Sequence, residues 1–145
     1  MLPMETMAKI LVVDDDFEMR ETLKTFLRRH EYIVDSAKNA AEAFVKLSSD
    51  QFDLVLTDVV MNPISGLLMI RSLQERHIHF DFIVITGNDS YESRDQADHL
   101  GAKGYLLKPF DSIALLKLIR EIANPKERAN HAANSLIDAS EETGS

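Results

Sequence analysis

The sequence predicts an α/β fold of the (βα)5 type, in which a doubly wound, five-stranded parallel sheet carries helices on both faces. Two observations lead to this prediction. Short aliphatic and β-branched runs alternate with amphipathic stretches from about residue 9 to residue 122. Crossovers between parallel strands pass over a face of the sheet and are right-handed, so the alternation covers both faces with helices.

Five apolar runs are the predicted strands. Each is short and rich in Val, Ile, Leu, Phe or Tyr, which is typical of a strand buried in a parallel sheet. The runs are Ile10–Val13, Tyr32–Val34, Asp53–Leu56, Phe82–Thr86 and Tyr105–Leu107. The second run is expected at an edge of the sheet.

The stretches between the runs repeat apolar residues at spacings of three and four, the period of a helix with one buried face. The helix over Ser90–Leu100 has few apolar residues, and we expect it to be the most loosely packed. Four residues carry the predicted helix caps, with the second and third forming a capping box: Asp16, Asn39, Glu42 and Asp111.

The composition indicates one soluble domain. The 145 residues are 45% hydrophobic and 28% charged, which is ordinary for a globular protein of this length. We expect an N-terminal arm over residues 1–7, the domain over 8–123, and a polar tail over 124–145 that is disordered or a short helix.

The net charge of −8 excludes a general nucleic-acid or anionic-membrane surface, because both require a basic footprint. The sequence contains no cysteine, so disulfides and thiolate metal sites are excluded. It also has no apolar run long enough to span a membrane and no signal-peptide pattern. These features predict a cytoplasmic protein.

Polar side chains follow four of the predicted strands. The first strand ends in Asp14 and Asp15, the third in Asp58, the fourth in Thr86 and the fifth in Lys108. In an open parallel sheet, ligands bind outside the carboxyl ends of the strands, so these side chains are expected at one rim. Clustered carboxylates suit a hard cation such as Mg²⁺, and a carboxylate can act as a nucleophile toward phosphorus. A metal, an ammonium and a hydroxyl together can hold a phosphoryl group.

The segments VVDD, LVLTD ending at Asp58, IVIT ending at Thr86, and the pair Lys108-Pro109 resemble the receiver domain of two-component response regulators, over roughly residues 8–122. The resemblance implies the flavodoxin-like strand order 2-1-3-4-5. It also implies a cis peptide bond before Pro109. It implies that Asp58 is the phosphoacceptor. The implied Mg²⁺ ligands are the carboxylates of Asp14, Asp15 and Asp58 and the carbonyl of Val60. Thr86 and Lys108 would contact the phosphoryl group, and Thr86 and Tyr105 would form the switch pair.

The resemblance further implies a signalling switch that catalyses only its own phosphorylation and dephosphorylation. The phosphoryl donor would be a sensor histidine kinase or a phosphotransfer protein, and an unknown downstream protein would receive the signal. We expect a single-domain regulator without direct nucleic-acid or membrane contact. A homodimer through the face of the fourth helix, fifth strand and fifth helix is possible on the same grounds.

One segment departs from the family pattern. The family commonly has Met-Pro three residues after the acceptor, whereas this chain reads Met61-Asn62-Pro63 and places the proline one position later. Gly66 stands where the family has its glycine, but Ser65 replaces the usual aspartate before it. The departure affects the loop that follows Asp58.

Three other functions compete with this interpretation. A haloacid-dehalogenase-like phosphatase would use Asp14 and Asp16 as its Asp-x-Asp motif, but Glu18 stands where that family has threonine, and Asp58 would have no role. A mononucleotide binder with the flavodoxin fold is disfavoured, because three acids would repel the phosphate. A receiver-like module that no longer accepts phosphate is the third alternative, and the complete set of site residues argues against it.

Overall fold

A computed structural model of the protein describes residues 7–123. Within this range five strands alternate with five helices, as the sequence predicts. The strands are β1 (Lys9–Val13), β2 (Ile33–Ala37), β3 (Leu54–Thr57), β4 (Asp81–Thr86) and β5 (Gly104–Leu107). The helices are α1 (Phe17–Arg29), α2 (Ala40–Ser49), α3 (Gly66–Glu75), α4 (Tyr91–His99) and α5 (Ser112–Ile122).

All pairings between neighbouring strands are parallel, and the strand order is β2-β1-β3-β4-β5. This order confirms the predicted doubly wound sheet and places β2 at one edge. The order reverses at β1, because the chain passes from β2 on one side of it to β3 on the other. Such a switch point is where ligands bind in open α/β sheets.

Two hydrophobic clusters cover the two faces of the sheet. Side chains alternate between the faces along each strand, so that Leu11 and Val13 of β1 join one cluster and Ile10 and Val12 join the other. Helices α2, α3 and α4 pack on the first face, and helices α1 and α5 pack on the second. The central strands are therefore buried on both sides.

The strand boundaries differ most at β2. The apolar run of the sequence ends at Val34 and the strand is expected to end near Asp35-Ser36, whereas β2 continues to Ala37. An edge strand has one side open to solvent, so polar Asp35 and Ser36 can belong to it although they interrupt the apolar run. The extension matters for the site because the Ala37 carbonyl accepts a hydrogen bond from the backbone N–H of Asp14 at 3.1 Å.

The predicted N-caps are confirmed: the side chains of Asp16, Asn39 and Asp111 each accept a backbone N–H from the first turn of the following helix. The predicted capping box is wrong in one detail. The Glu42 carboxylate accepts the backbone N–H of Lys38, the residue before the cap, at 2.9 Å, and not that of Asn39. The side chain therefore ties down the chain just before α2.

Helix α4 has one buried residue, Ala97, whereas each of the other four helices has between two and five. This difference confirms the expectation that α4 is the most loosely packed helix of the domain. The predicted tail over 124–145 lies outside the described residues, as does the predicted arm except for Met7. Within residues 7–123, no helix has the length and apolar character needed to cross a membrane.

Candidate functional site

The buried polar side chains of residues 7–123 lie at the carboxyl ends of the three central strands. They are Asp14 after β1, Thr57 and Asp58 at the end of β3, and Thr86 at the end of β4. Asp14 is 3% exposed and Asp58 is 8% exposed. Ionised carboxylates are seldom this deeply buried unless they are paired or bind a cation, so their position marks a functional site.

Backbone pairing between β1 and β3 brings the two buried carboxylates to the same level. Val13 and Thr57 are register partners in the parallel ladder, and the next residues along each strand are Asp14 and Asp58. The backbone N–H of Asp58 donates to the Val13 carbonyl at 3.1 Å, which continues the ladder beyond the last strand residue. The rigid centre of the sheet therefore sets the spacing between the two acids.

Gly66 brings the start of α3 against the backbone of the acid at the end of β3. A Cβ atom at this position would lie 1.8 Å from the carbonyl oxygen of Asp58 and 2.8 Å from Oγ1 of Thr57. The backbone N–H of Gly66 donates to the Val59 carbonyl at 2.8 Å. Only a residue without a side chain permits this close approach, so Gly66 helps to place Asp58.

Three carboxylates converge at this rim. One oxygen from each of Asp14, Asp15 and Asp58 lies within 4.8 Å of the other two. The carboxylate of Asp15 is exposed and has no hydrogen bond or ion pair within residues 7–123, whereas Oδ1 of Asp58 accepts the Val60 backbone N–H at 3.2 Å. Three oxygen donors of this kind fit a hard divalent cation such as Mg²⁺.

Lys108 supplies a positively charged ammonium to the carboxylate cluster. Its Nζ donates to Oδ2 of Asp14 at 2.7 Å and to Oδ2 of Asp58 at 2.9 Å. Burial acts to lower the pKa of Lys108, but the two carboxylates outweigh this effect and raise the pKa above its usual value. Burial also raises the pKa of Asp14, although Lys108 opposes the rise. The peptide bond between Lys108 and Pro109 is cis, as the resemblance implies.

Within residues 7–123, the predicted switch residues Thr86 and Tyr105 make no hydrogen bond to Asp14, Asp15 or Asp58. Oγ1 of Thr86 accepts the Asn88 backbone N–H at 3.2 Å, and the Thr86 carbonyl accepts the Lys108 backbone N–H at 2.8 Å. Tyr105 pairs with Val84 in the ladder between β4 and β5. It is therefore a diagonal neighbour of Thr86 on the same face of the sheet.

Sequence reasoning missed two features of the site. The guanidinium of Arg20 donates from Nη1 to the Asp14 carbonyl at 2.6 Å and so fixes the backbone of the first acid. Arg20 follows the cap residue Asp16 by four positions, one helical turn, but this spacing alone does not indicate the contact. The departure at Met61-Asn62-Pro63 contains a second cis peptide bond, between Asn62 and Pro63.

The model of the response regulator receiver domain matches residues 10–120. The chain belongs to this family. Receiver domains are signalling switches that accept a phosphoryl group on an aspartate from a histidine kinase or phosphotransfer protein, and they bind Mg²⁺ at an acidic cluster.

Individual relatives agree with the receiver assignment. The chain is 34% identical over 133 residues to the response regulator MprA of Mycobacterium avium, which covers 90% of this chain and 58% of MprA. It therefore spans little more than half the length of this relative. Among solved structures, TrrA of Thermotoga maritima in complex with Mg²⁺ and BeF is 33% identical with a TM-score of 0.72, covering 80% of this chain and 99% of TrrA. CheY4 of Vibrio cholerae is 30% identical with a TM-score of 0.73, covering 80% of this chain and 98% of CheY4.

The geometry of the receiver also disfavours the phosphatase alternative. That function would require Asp14 and Asp16 to face the reacting phosphate together. The Asp16 carboxylate instead accepts the backbone N–H of Glu18 at 3.0 Å as the cap of α1. Asp58, which has no role in the phosphatase motif, contacts Lys108 at the centre of the cluster.

Proposed function

We propose that the protein accepts a phosphoryl group on Asp58 and passes the signal on by protein contacts. The observation that carries this proposal is the position of Asp58: a buried carboxylate beside two further acids, with the ammonium of Lys108 at 2.9 Å. The acids provide a place for a divalent cation, and the ammonium can contact the oxygens of an incoming phosphoryl group.

The proposed reaction is a phosphoryl transfer from the phosphohistidine of a partner. An oxygen of the Asp58 carboxylate attacks phosphorus, and the P–N bond to the imidazole breaks as the new P–O bond forms. The imidazole leaves with the electron pair of the broken bond and takes up a proton from solvent. The product is an acyl phosphate on Asp58 and a free histidine on the partner.

Four residues would hold Mg²⁺ in this reaction: the carboxylates of Asp14, Asp15 and Asp58, and the backbone carbonyl of Val60. The bound cation supplies electrostatic neutralisation of the phosphoryl oxygens. Arg20 supports this set by holding the Asp14 backbone through its 2.6 Å hydrogen bond.

Lys108 and Thr86 would contact the phosphoryl group after the transfer. The two carboxylates that surround Lys108 keep it protonated, so its ammonium can donate to a phosphoryl oxygen. The Thr86 hydroxyl can donate a second hydrogen bond once it turns toward the group. Tyr105 would then pack into the space that Thr86 leaves, and the surface formed by α4, β5 and α5 would change shape.

The proposed donor is a sensor histidine kinase or a phosphotransfer protein in the cytoplasm. The proposed recipient is a downstream protein, or a second copy of this chain, that binds the surface of α4, β5 and α5. The net charge of −8 for the full sequence supports a protein recipient over direct contact of this chain with nucleic acid.

Incubation with acetyl phosphate, followed by measurement of the intact mass, tests the proposal. The parent protein should gain one phosphoryl group when Mg²⁺ is present and none after chelation of the metal. The variant Asp58→Asn should gain none under either condition. Asp16→Asn is the matched control, because this exposed carboxylate only caps α1, and it should be labelled like the parent.

Two results would contradict the proposal. A folded parent protein that gains no phosphoryl group would support the interaction module that works without phosphate. Steady hydrolysis of phosphate esters that depends on Asp14 and persists in Asp58→Asn would instead support the phosphatase.

A further inference from the structure

The guanidinium of Arg94 joins three parts of the molecule around the proposed switch residue. Arg94 lies in α4, and its Nε and Nη2 donate to the two carboxylate oxygens of Asp89 at 2.8 and 3.3 Å. Its Cζ also lies over the ring of Tyr105, 4.7 Å from the ring centroid. One side chain therefore connects the loop after β4, the helix α4 and the strand β5.

The ring of Tyr105 packs against the first hydrophobic cluster and lies under the guanidinium of Arg94. Its hydroxyl oxygen is buried and has no hydrogen bond of standard geometry within residues 7–123, although it lies close enough to the Asp89 carboxylate for each group to shift the pKa of the other. Burial, with a smaller contribution from the charge of Asp89, raises the pKa of the phenol. Packing, the cation above its face and the nearby Asp89 carboxylate therefore position the ring, and Arg94 contacts both the ring and Asp89.

Asp89 in turn fixes where the guanidinium lies. The bidentate pair restricts the Arg94 side chain, and Asp89 raises the pKa of the guanidinium. Asp89 is three residues after Thr86, in the loop whose Asn88 backbone N–H donates to the Thr86 hydroxyl. A movement of Thr86 that displaces this loop would therefore also displace the pair above Tyr105.

The weak packing of α4 makes this connection important. Ala97 is its one buried residue, and the side chain of Tyr91 at its start is 80% exposed. Because α4 buries so little apolar surface, the contacts of Arg94 with Asp89 and Tyr105 are additional links between α4 and its neighbours.

We propose that Arg94 is a positioning residue that holds the Tyr105 ring in the arrangement of this structure, in which Asp58 is unphosphorylated and its carboxylate is paired with Lys108. Loss of Arg94 lets the ring leave this position more readily, so the receiver switches more easily. This inference rests on the proposed function, because it assumes that Tyr105 moves when Asp58 is phosphorylated. The pair is exposed to solvent, so Arg94 shifts an equilibrium and does not lock it.

NMR of protein with labelled tyrosine rings tests the proposal. The chain has three tyrosines, and Tyr105→Phe identifies the signal of interest. In Arg94→Gln without any phosphoryl donor, the Tyr105 ring signal should move toward the position it takes in the parent protein with Mg²⁺ and beryllofluoride. The ratio of switched to unswitched ring should rise roughly two- to fivefold, the factor expected for an exposed cation–π contact. Arg94→Lys keeps the charge and should recover part of the parent ratio.

Arg71→Gln is the matched control. Arg71 forms an exposed ion pair with Glu75 within α3 at 3.2 Å and stacks on no aromatic ring within residues 7–123. This variant should leave the Tyr105 signal and its response to beryllofluoride unchanged. Thermal unfolding followed by circular dichroism checks that all variants are folded.

Two outcomes separate the failure of this inference from the failure of the proposed function. If Asp58 is labelled by acetyl phosphate but the Tyr105 signal of Arg94→Gln equals that of the parent, Arg94 is an ordinary surface residue and the inference is overturned. If the parent is not labelled, the proposed function fails, and an unchanged ring signal in Arg94→Gln then also removes the positioning role. A ring signal that moves in Arg94→Gln but not in Arg71→Gln supports the inference.

Discussion

The centre of the sheet and its edge at α4 and β5 are built differently. In the centre, all four residues of β3 and four of the five in β1 are buried, and α3 adds five buried residues. At the edge, β5 has no buried residue and α4 has one. The carboxylates stand on the packed centre, whereas Arg94 and Tyr105 belong to the edge.

The two regions suit two different physical requirements of a receiver domain. A phosphoryl site needs side chains held within a fraction of an ångström, and dense packing around β1 and β3 provides this. A switch needs an element that changes position at low free-energy cost, and a helix with few buried contacts provides that. The proposed phosphoryl site and the proposed switch surface therefore lie in adjacent parts of one sheet.

The largest expected effect is on the free energy of unfolding, and the same substitution made in each region measures it. Leu73→Ala in α3 removes a fully buried side chain and should lower the free energy of unfolding by about 2–5 kcal/mol. Leu100→Ala at the end of α4 removes a partly buried side chain and should cost about 1 kcal/mol. Urea unfolding of both variants measures the difference. Equal losses would show that α4 is as firmly packed as α3.

Divalent metal should stabilise the centre. Asp14, Asp15 and Asp58 directly follow β1 and β3, and their mutual repulsion falls when a cation binds between them. Free Mg²⁺ at about one hundred times its dissociation constant should raise the free energy of unfolding by about 2.7 kcal/mol.

Thermal unfolding with Mg²⁺ and with EDTA measures this gain, and Asp15→Asn should lose most of it. Asp95→Asn removes one negative charge from the edge and should keep the full gain. A gain that Asp15→Asn retains would be inconsistent with a metal site at this rim.

Substitution of one glycine in each region separates two kinds of constraint. Gly66, in the centre, has no room for a side chain, and Gly101, at the edge, has a positive φ. Gly66→Ala forces a Cβ atom into the Asp58 carbonyl and should cost about 1–3 kcal/mol while slowing acetyl phosphate labelling. Gly101→Ala, after α4, has open space but a φ of +91°. It should cost about 1–2 kcal/mol and leave the labelling rate unchanged. Labelling rates that fall equally in both variants would argue against a placing role for Gly66.

The smallest expected effect concerns pH at the edge. The hydrogen bond from Arg94 holds the pKa of Asp89 below its ordinary value of 3.8. A carboxyl with a depressed pKa contributes stability above the ordinary value and loses it as pH falls through the lower folded value. Carbon NMR of the Asp89 carboxyl should show a titration midpoint below the ordinary value, and the loss of stability as pH falls should be confined to α4. In Arg94→Gln the titration should return toward the ordinary value, and an unchanged curve would show that the pair does not persist in solution.

Much of the candidate site could be predicted from the sequence because each residue follows an apolar strand directly. Asp14, Asp58, Thr86 and Lys108 stand at the ends of recognisable runs, and parallel strands bring their carboxyl ends to one rim. The contact of Arg20 with the Asp14 carbonyl could not be predicted in this way, because it depends on how α1 lies against the loop that precedes it.

The sequence by itself determined the alternation of strands and helices, the N-caps, and the weak packing of α4, since periodicity and cap chemistry are local properties. The strand order came with the family resemblance. Only the tertiary structure decided that Lys108 pairs with both Asp14 and Asp58, that Gly66 has no room for a side chain, and that Arg94 lies between Asp89 and Tyr105. These contacts join residues from different elements, and their distances depend on how the helices pack on the sheet.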